Sequence, residues 1–144
     1  MKTILFTSLC IALFSFNCEA RDDKNMYDAH AAIERGLNEG ILDGSVSFYF
    51  GDSEHPEVLE KMGSVQSNKK TNAFNKTDAE ACEWAFLGAM KALQARAKQA
   101  GANAVINIKS NYRNKEVSDN NLFECGAGSL MAGTAVKGTL AKIR

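Results

Sequence analysis

Apolar and polar positions alternate along some stretches of the chain and recur at helical spacing along others, and the two periods predict its elements. Ser45 to Phe50 (SVSFYF) sets Val46, Phe48 and Phe50 against Ser47 and Tyr49, a strand with one strongly apolar face. Ala104 to Tyr112 sets Ala104, Ile106 and Ile108 against Asn107, Lys109 and Asn111. Leu122 to Ala127 brings Phe123, Cys125 and Ala127 to one side, and Thr134 to Ile143 does the same for Val136 and Leu140. The segment Val58 to Thr71 is ambiguous. Val58, Leu59 and Met62 suit a helix start, whereas Gly63 to Ser67 reads as extended, a polar edge strand. Arg113 to Asn121 reads as a polar connection.

Helical spacing marks two segments. Asn25 to Glu39 carries Met26, Ala29, Ile33 and Leu37 and predicts a short N-terminal helix ended by Gly36 or Gly40. Thr77-Asp78-Ala79-Glu80 is a capping box, and Gly101 is a natural stop, so the spacing predicts a long helix over 78–100. On it Cys82, Phe86, Ala89, Leu93, Ala97 and Ala100 share one face, which should lie on a sheet. A neighbouring stripe, Ala81, Ala85, Gly88, Ala92 and Ala95, is small enough to let another backbone approach, either the N-terminal helix or another protein. Trp84 and Leu87 fall on the far side among Lys91, Gln94 and Lys98, either covered by a loop or left as an interaction surface. The order of elements predicts an α+β domain, a mainly antiparallel sheet with the long helix and the short N-terminal helix packed on one face.

The first twenty residues change the compartment. Lys2 precedes an apolar run, Ile4 to Phe16, of about thirteen residues, within the range of a secretory signal and short for a bilayer span. Cys18-Glu19-Ala20 suits cleavage after Ala20, leaving 21–144 as one domain with no membrane span, periplasmic or secreted. Asn17 and Ser15 depart from the small residue and leucine that lipidation of Cys18 requires, and Arg21-Asp22-Asp23 disfavours an anchor. Without Lys2 and Glu19 the domain has 16 basic and 16 acidic side chains. A neutral domain has no cationic excess to neutralise many phosphates, which argues against nucleic acid as a partner.

Cleavage also removes Cys10 and Cys18 and leaves Cys82 and Cys125. Each sits on an apolar face that points to the same core, as a helix-to-sheet disulfide requires; buried free thiols are the alternative. Neither cysteine is placed as a nucleophile beside a histidine, so no catalytic residue is assigned and the protein is read as not an enzyme. His30, His55, Cys82 and Cys125 form no short ligand pair, so no metal or other cofactor is assigned. Asn75-Lys76-Thr77 matches a glycosylation acceptor but coincides with the helix cap. The glycine-rich stretch Glu124 to Gly138 (ECGAGSLMAGTAVKG) has the glycine spacing of a phosphate loop at Gly128 and Gly133. Thr134 stands where that loop needs lysine, and the run that follows is extended rather than helical. Met131 also breaks a G-x-G-x-x-G reading, so these glycines serve bends and close packing.

Ala97 to Val105 (AKQAGANAV) resembles the helix-to-strand junction of two bacterial groups. One is the YbjQ-like family, named for heavy-metal binding; the other is the outer-membrane lipoprotein that senses envelope stress for the Rcs phosphorelay. Ala132 to Val136 (AGTAV) resembles their C-terminal strand, and the likeness spans roughly 77–143. The wider arrangement, with GSVSFYFGD, NKKTNAF, CGAG and MAGTAVKG, is similar to small exported proteobacterial proteins often called "excinuclease ATPase subunit". No Walker motif or zinc-finger cysteine set supports that activity. Cys82 and Cys125 resemble one helix-proximal and one C-terminal-strand cysteine of the Rcs sensor; its other two cysteines and its lipidated one have no counterpart. The resemblances imply a non-catalytic binding or envelope-sensing module whose partner is another envelope protein. The alternative they imply is a metal-binding or oligomeric module.

Overall fold

The computed structural model describes residues 20–144. The segment expected to be a secretory signal, up to Glu19 and with Cys10 and Cys18, lies outside the described residues. Among these the order is β1 (Asp23–Asp28), α1 (Ala29–Asn38), β2 (Ser47–Phe50), β3 (Val58–Asn72), α2 (Asp78–Ala100), β4 (Ala104–Ser110), β5 (Leu122–Ala127) and β6 (Met131–Ile143). All the strands join one sheet. β6 is its spine: β3 pairs along one edge, while β5 and β4 share the other in succession. β1 then adds to β5, and β2 to β4. The sheet is mixed, because β2 and β4 run parallel while the other pairs are antiparallel. A parallel pair needs a crossover, and β3 with α2 supplies it between β2 and β4.

α2 forms where the capping box places it. The Thr77 hydroxyl accepts from the Glu80 N–H at 3.1 Å, and Gly101 closes the helix in the left-handed region at φ 77°. Cys82, Phe86, Ala89, Leu93 and Ala97 are buried against one face of the sheet, where they meet Val65, Val105, Phe123, Val136 and Leu140. The Phe86 ring stacks on Phe123 at 3.9 Å between centroids, with Phe50 at 6.1 Å. Ala100, assigned to the same helix face, is exposed, because the last turn overhangs the sheet.

Four expectations need correction. Asn25 to Asp28 is strand, not helix; Asp28 is the N-cap of α1 and accepts from the Ala31 N–H at 2.9 Å. The segment from Val58 is extended from its start rather than helical there; its latter part is the edge strand expected, and among the described residues β3 pairs only with β6. The third concerns β4. Asn107 adopts φ 51°, and the pairing with β6 skips between Ile106 and Lys109, a bulge that reverses the alternation. Ile108 therefore joins Val105 under α2, while Ala104 and Ile106 form a second small cluster with Ala141 and Ile143. The fourth is the small stripe of α2. It faces β3, since a Cβ on Gly88 would meet Lys69 Cγ at 3.7 Å. α1 instead meets α2 at Leu87, whose Cδ2 lies 2.6 Å from where a Cβ on Gly36 would stand.

Candidate functional site

Among the described residues the sheet's other face carries no helix. Successive side chains of a strand point to opposite faces. With Ala132, Val136 and Leu140 turned toward α2, residues Gly133, Ala135, Lys137 and Thr139 line the open face. Their partners on β3 are Lys70, Asn68, Gln66 and Ser64. At one end Gly133 and Ala135 lie low between Lys70, Asn68 and the connection after β4, which makes a trough. Three depressions follow one another along it. The first, about 610 Å³, lies at Lys70, Gly133, Gly126 and Leu130. The second, about 260 Å³, lies at Gln66, Asn68, Asn111, Asn114 and Ala135. The third, about 410 Å³, lies at Ser64, Asn107, Lys109, Glu116, Lys137 and Thr139. Arg113 borders the first two.

The connection after β4 walls this trough. A 3₁₀ turn, Tyr112–Asn114, lays the Tyr112 ring across Gly126 and Gly133, which are opposed residues of β5 and β6. A Cβ on Gly126 would stand 2.2 Å from the phenol oxygen and 2.4 Å from Cζ, so only glycine admits the ring there. The phenol donates to Asp22 at 3.0 Å. Asp22 also pairs with Arg113 Nη2 at 2.6 Å, and the Arg113 guanidinium lies 5.6 Å from the Tyr112 ring centre. Burial first, then the bond to Asp22, raises the Tyr112 phenol above its ordinary value, so it stays a donor at neutral pH. Arg113 and Asn114 both hold left-handed backbone, φ 52° and 59°, which costs a non-glycine residue roughly 1–2 kcal/mol. The Asn111 N–H bond to the Ala135 carbonyl at 2.8 Å and the Lys115 N–H bond to the Tyr112 carbonyl at 3.1 Å hold the turn in place. Arg113 thus stands at the rim, about two-thirds exposed, paired with Asp22. Lys70 forms no ion pair among the described residues.

Glu116 lies between Lys137 and Lys109, and its hydrogen bond to Lys137 holds its carboxyl below the ordinary range. The N–H groups of Asn121 and Leu122 do the same for Asp119, and Lys98 with Ser45 for Asp43. A carboxyl with a lower folded pKa adds stability above its unfolded value and loses it as pH falls through the folded one. Thermal midpoints should therefore be level above pH ~5 and fall below pH ~4. Lys137→Gln should make that decline shallower, and an unchanged acid limb would rule out the contribution of Glu116.

The residues singled out by sequence fall elsewhere. Cys82 and Cys125 lie on the helix side, fully buried, with sulfurs 2.03 Å apart and Cα atoms 5.8 Å apart, a disulfide bridging α2 and β5. Trp84 and Leu87 do not form a shared surface. Leu87 is 1% exposed beneath Gly36 and Leu42. Trp84 is half-exposed, and the Arg35 guanidinium, which also bonds Glu39 and Glu83, lies 5.3 Å from its ring centre. His30 faces the Asn120 carbonyl at 2.9 Å, and His55 that of Pro56 at 2.9 Å. No group of three or more His, Cys, Asp or Glu side chains suited to a metal occurs among the described residues. No helix among them is long and apolar enough to cross a membrane. The sequence matches no protein-family model and no curated protein.

Proposed function

We propose that the protein is an exported, non-catalytic binding or envelope-sensing module that engages an envelope component through the trough on the sheet face opposite α2. The observation that carries this reading is the wall of that trough: Tyr112 packed on Gly126 and bonded to Asp22, with Arg113 paired to the same carboxylate. Such a rim is organised before binding, which lowers the ordering cost of association. The buried cysteine pair suits an oxidising compartment, in line with a signal segment cleaved after Ala20.

The oligomeric alternative has one observation in its favour. Phe74, Leu130 and Met131, 60%, 65% and 49% exposed, lie at one end of the β3–β6 pair, where the Ala73 N–H bonds the Leu130 carbonyl. A single monomeric species in sedimentation would dispose of it.

The binding reading is tested in cells with a photocrosslinking side chain at position 68, in the trough, or at position 91, on the exposed side of α2. Adducts should form from 68 and not from 91, in an exported fraction whose protein begins at Arg21. Equal labelling from both positions, or retention in the cytoplasm, would contradict the proposal.

A further inference from the structure

Two turns meet at one end of the β3–β6 pair. The first is closed by the Lys76 N–H bond to the Ala73 carbonyl at 3.1 Å, and the Asn72 side chain accepts from the Phe74 N–H at 2.7 Å. The second joins β5 to β6 through Ser129 and Leu130, with the Gly128 N–H bonded to the Met131 carbonyl at 2.8 Å. The Ala73 N–H bond to the Leu130 carbonyl at 2.8 Å sets the two side by side. Turns that face water favour Gly, Pro, Asn, Asp and Ser. Here each presents a large apolar side chain instead. Leu130 and Phe74 are the most exposed large hydrophobic residues among those described, and Met131 adjoins them. None of the three joins either core cluster, so packing within the domain does not account for them.

The chain enters the domain at the same end. The Arg21 carbonyl oxygen lies 2.8 Å from where a Cβ on Gly128 would stand, and the Arg21 guanidinium pairs with Asp78, the first residue of α2. Arg21 is thus tied to both turns, and with Ala20 it borders the depression that Leu130 and Met131 line. Phe16, the last residue of the apolar run expected of a secretory signal, stands four residues before Ala20. Four residues span at most about 14 Å. A signal run is expected to sit in the bilayer during export. A domain tethered that closely stands with its Phe74–Leu130 end toward the lipid.

Charge does not select the surface, because Arg21 is paired with Asp23 and Asp78, and Arg113 with Asp22. A second copy of the chain is the poorer occupant. Three part-exposed side chains make roughly 300 Å² of apolar surface, against about 800 Å² on each side of a stable interface. Insertion into a bilayer needs no complementary partner surface and scales with apolar area.

We propose that Phe74, Leu130 and Met131 form a membrane-contact tip, inserted at the headgroup–acyl boundary of the bilayer across which the chain is exported. The contact is weak and reversible, as for a single short acyl chain. It holds the trough, whose first depression adjoins the tip, beside the membrane surface. The proposal rests on the export in the reading above and not on occupancy of the trough.

Amide NMR of the isotopically labelled exported protein, with phosphatidylcholine vesicles carrying a spin-labelled lipid, tests it. The amides of Phe74, Leu130 and Met131 should broaden. That of Leu59, an exposed apolar residue at the other end of β3, should not. In flotation, Phe74→Ser and Leu130→Ser should each weaken vesicle binding about tenfold, the scale of burying one part-exposed apolar side chain, with thermal midpoints unchanged. Leu59→Ser should bind as the parent does. No broadening at the tip, equal broadening at Leu59, or binding only when the vesicles contain phosphatidylglycerol would overturn the proposal. So would a dimer in sedimentation that Leu130→Ser dissociates. The cell fractionation above judges export separately, so a protein that is exported yet ignores vesicles refutes the tip alone.

Discussion

Replacing Cys82 and Cys125 together by alanine is expected to cost about 4 kcal/mol of stability, from loop-closure entropy alone. The bridged residues are 43 apart, and the loop they close contains most of α2, all of β4 and the turn that carries Tyr112 and Arg113. In the unfolded chain that loop is free once the bond is gone, whereas the folded chain gains little in return. For a domain of this size the loss should lower the thermal midpoint by about 10–20 °C. Both cysteines are fully buried, so reductant should act slowly, at the rate at which α2 lifts from β5. Thiol titration of unfolded, unreduced protein should find no free thiol. Two titratable thiols, or a midpoint unchanged by the double substitution, would refute the bridge. The substitution also separates stability from recognition, because the cysteines lie on the helix side and the trough on the other. Below its melting point the alanine pair should still form crosslinks from position 68.

The parts of this arrangement visible in the sequence are those that one segment specifies by itself. α2 announces its start through Thr77 and Glu80 and its end through Gly101, and its buried face repeats at helical spacing. β5 alternates cleanly at Phe123, Cys125 and Ala127, so two faces read independently pointed both cysteines into one core. β1 was hidden because its outer-strand positions are mostly exposed on both sides and present no alternation. Met26 also completes a helical spacing with Ala29 and Ile33. The turnover of β4 was hidden because a bulge is a change of phase: Ile106 and Ile108 read as one face until Asn107 inserts an extra residue. Leu87 read as surface because its distance from the α2 core face is real; what covers it is Gly36 and Leu42, some fifty residues earlier. The trough had no signature at all. Its residues come from four strands, β3 to β6, from the segment before β1 and from the connection after β4, and amides at alternate positions of an outer strand look like ordinary solvated surface. The one available signal was Gly126 with Gly133. They were legible as sites of close packing, but nothing local identified Tyr112 as the ring that packs there.

Phe86→Ala is the other substitution expected to have a large effect, a loss of about 3–5 kcal/mol for deleting a buried aromatic ring. Phe86 is fully buried and stacked on Phe123, so its removal opens a cavity between α2 and β5 that the Phe50 ring, tilted at 36°, is poorly placed to fill. Its position relative to the disulfide makes a sharper expectation. Cys82 and Phe86 are one turn apart on α2, and Phe123 and Cys125 are two residues apart on β5. The ring stack and the bridge are therefore adjacent rungs of one interface, close enough for their losses to interact. Denaturant unfolding of Phe86→Ala, of the cysteine pair and of the triple variant should give losses that do not sum. With the bridge intact, helix and strand stay tethered around the cavity and can partly close on it; without it they separate. Phe86→Leu should recover part of the loss by refilling the volume, with the dependence on denaturant unchanged. Strict additivity across the three variants would mean that bridge and stack stabilise α2 on β5 independently, and the coupling argued from their spacing would fall.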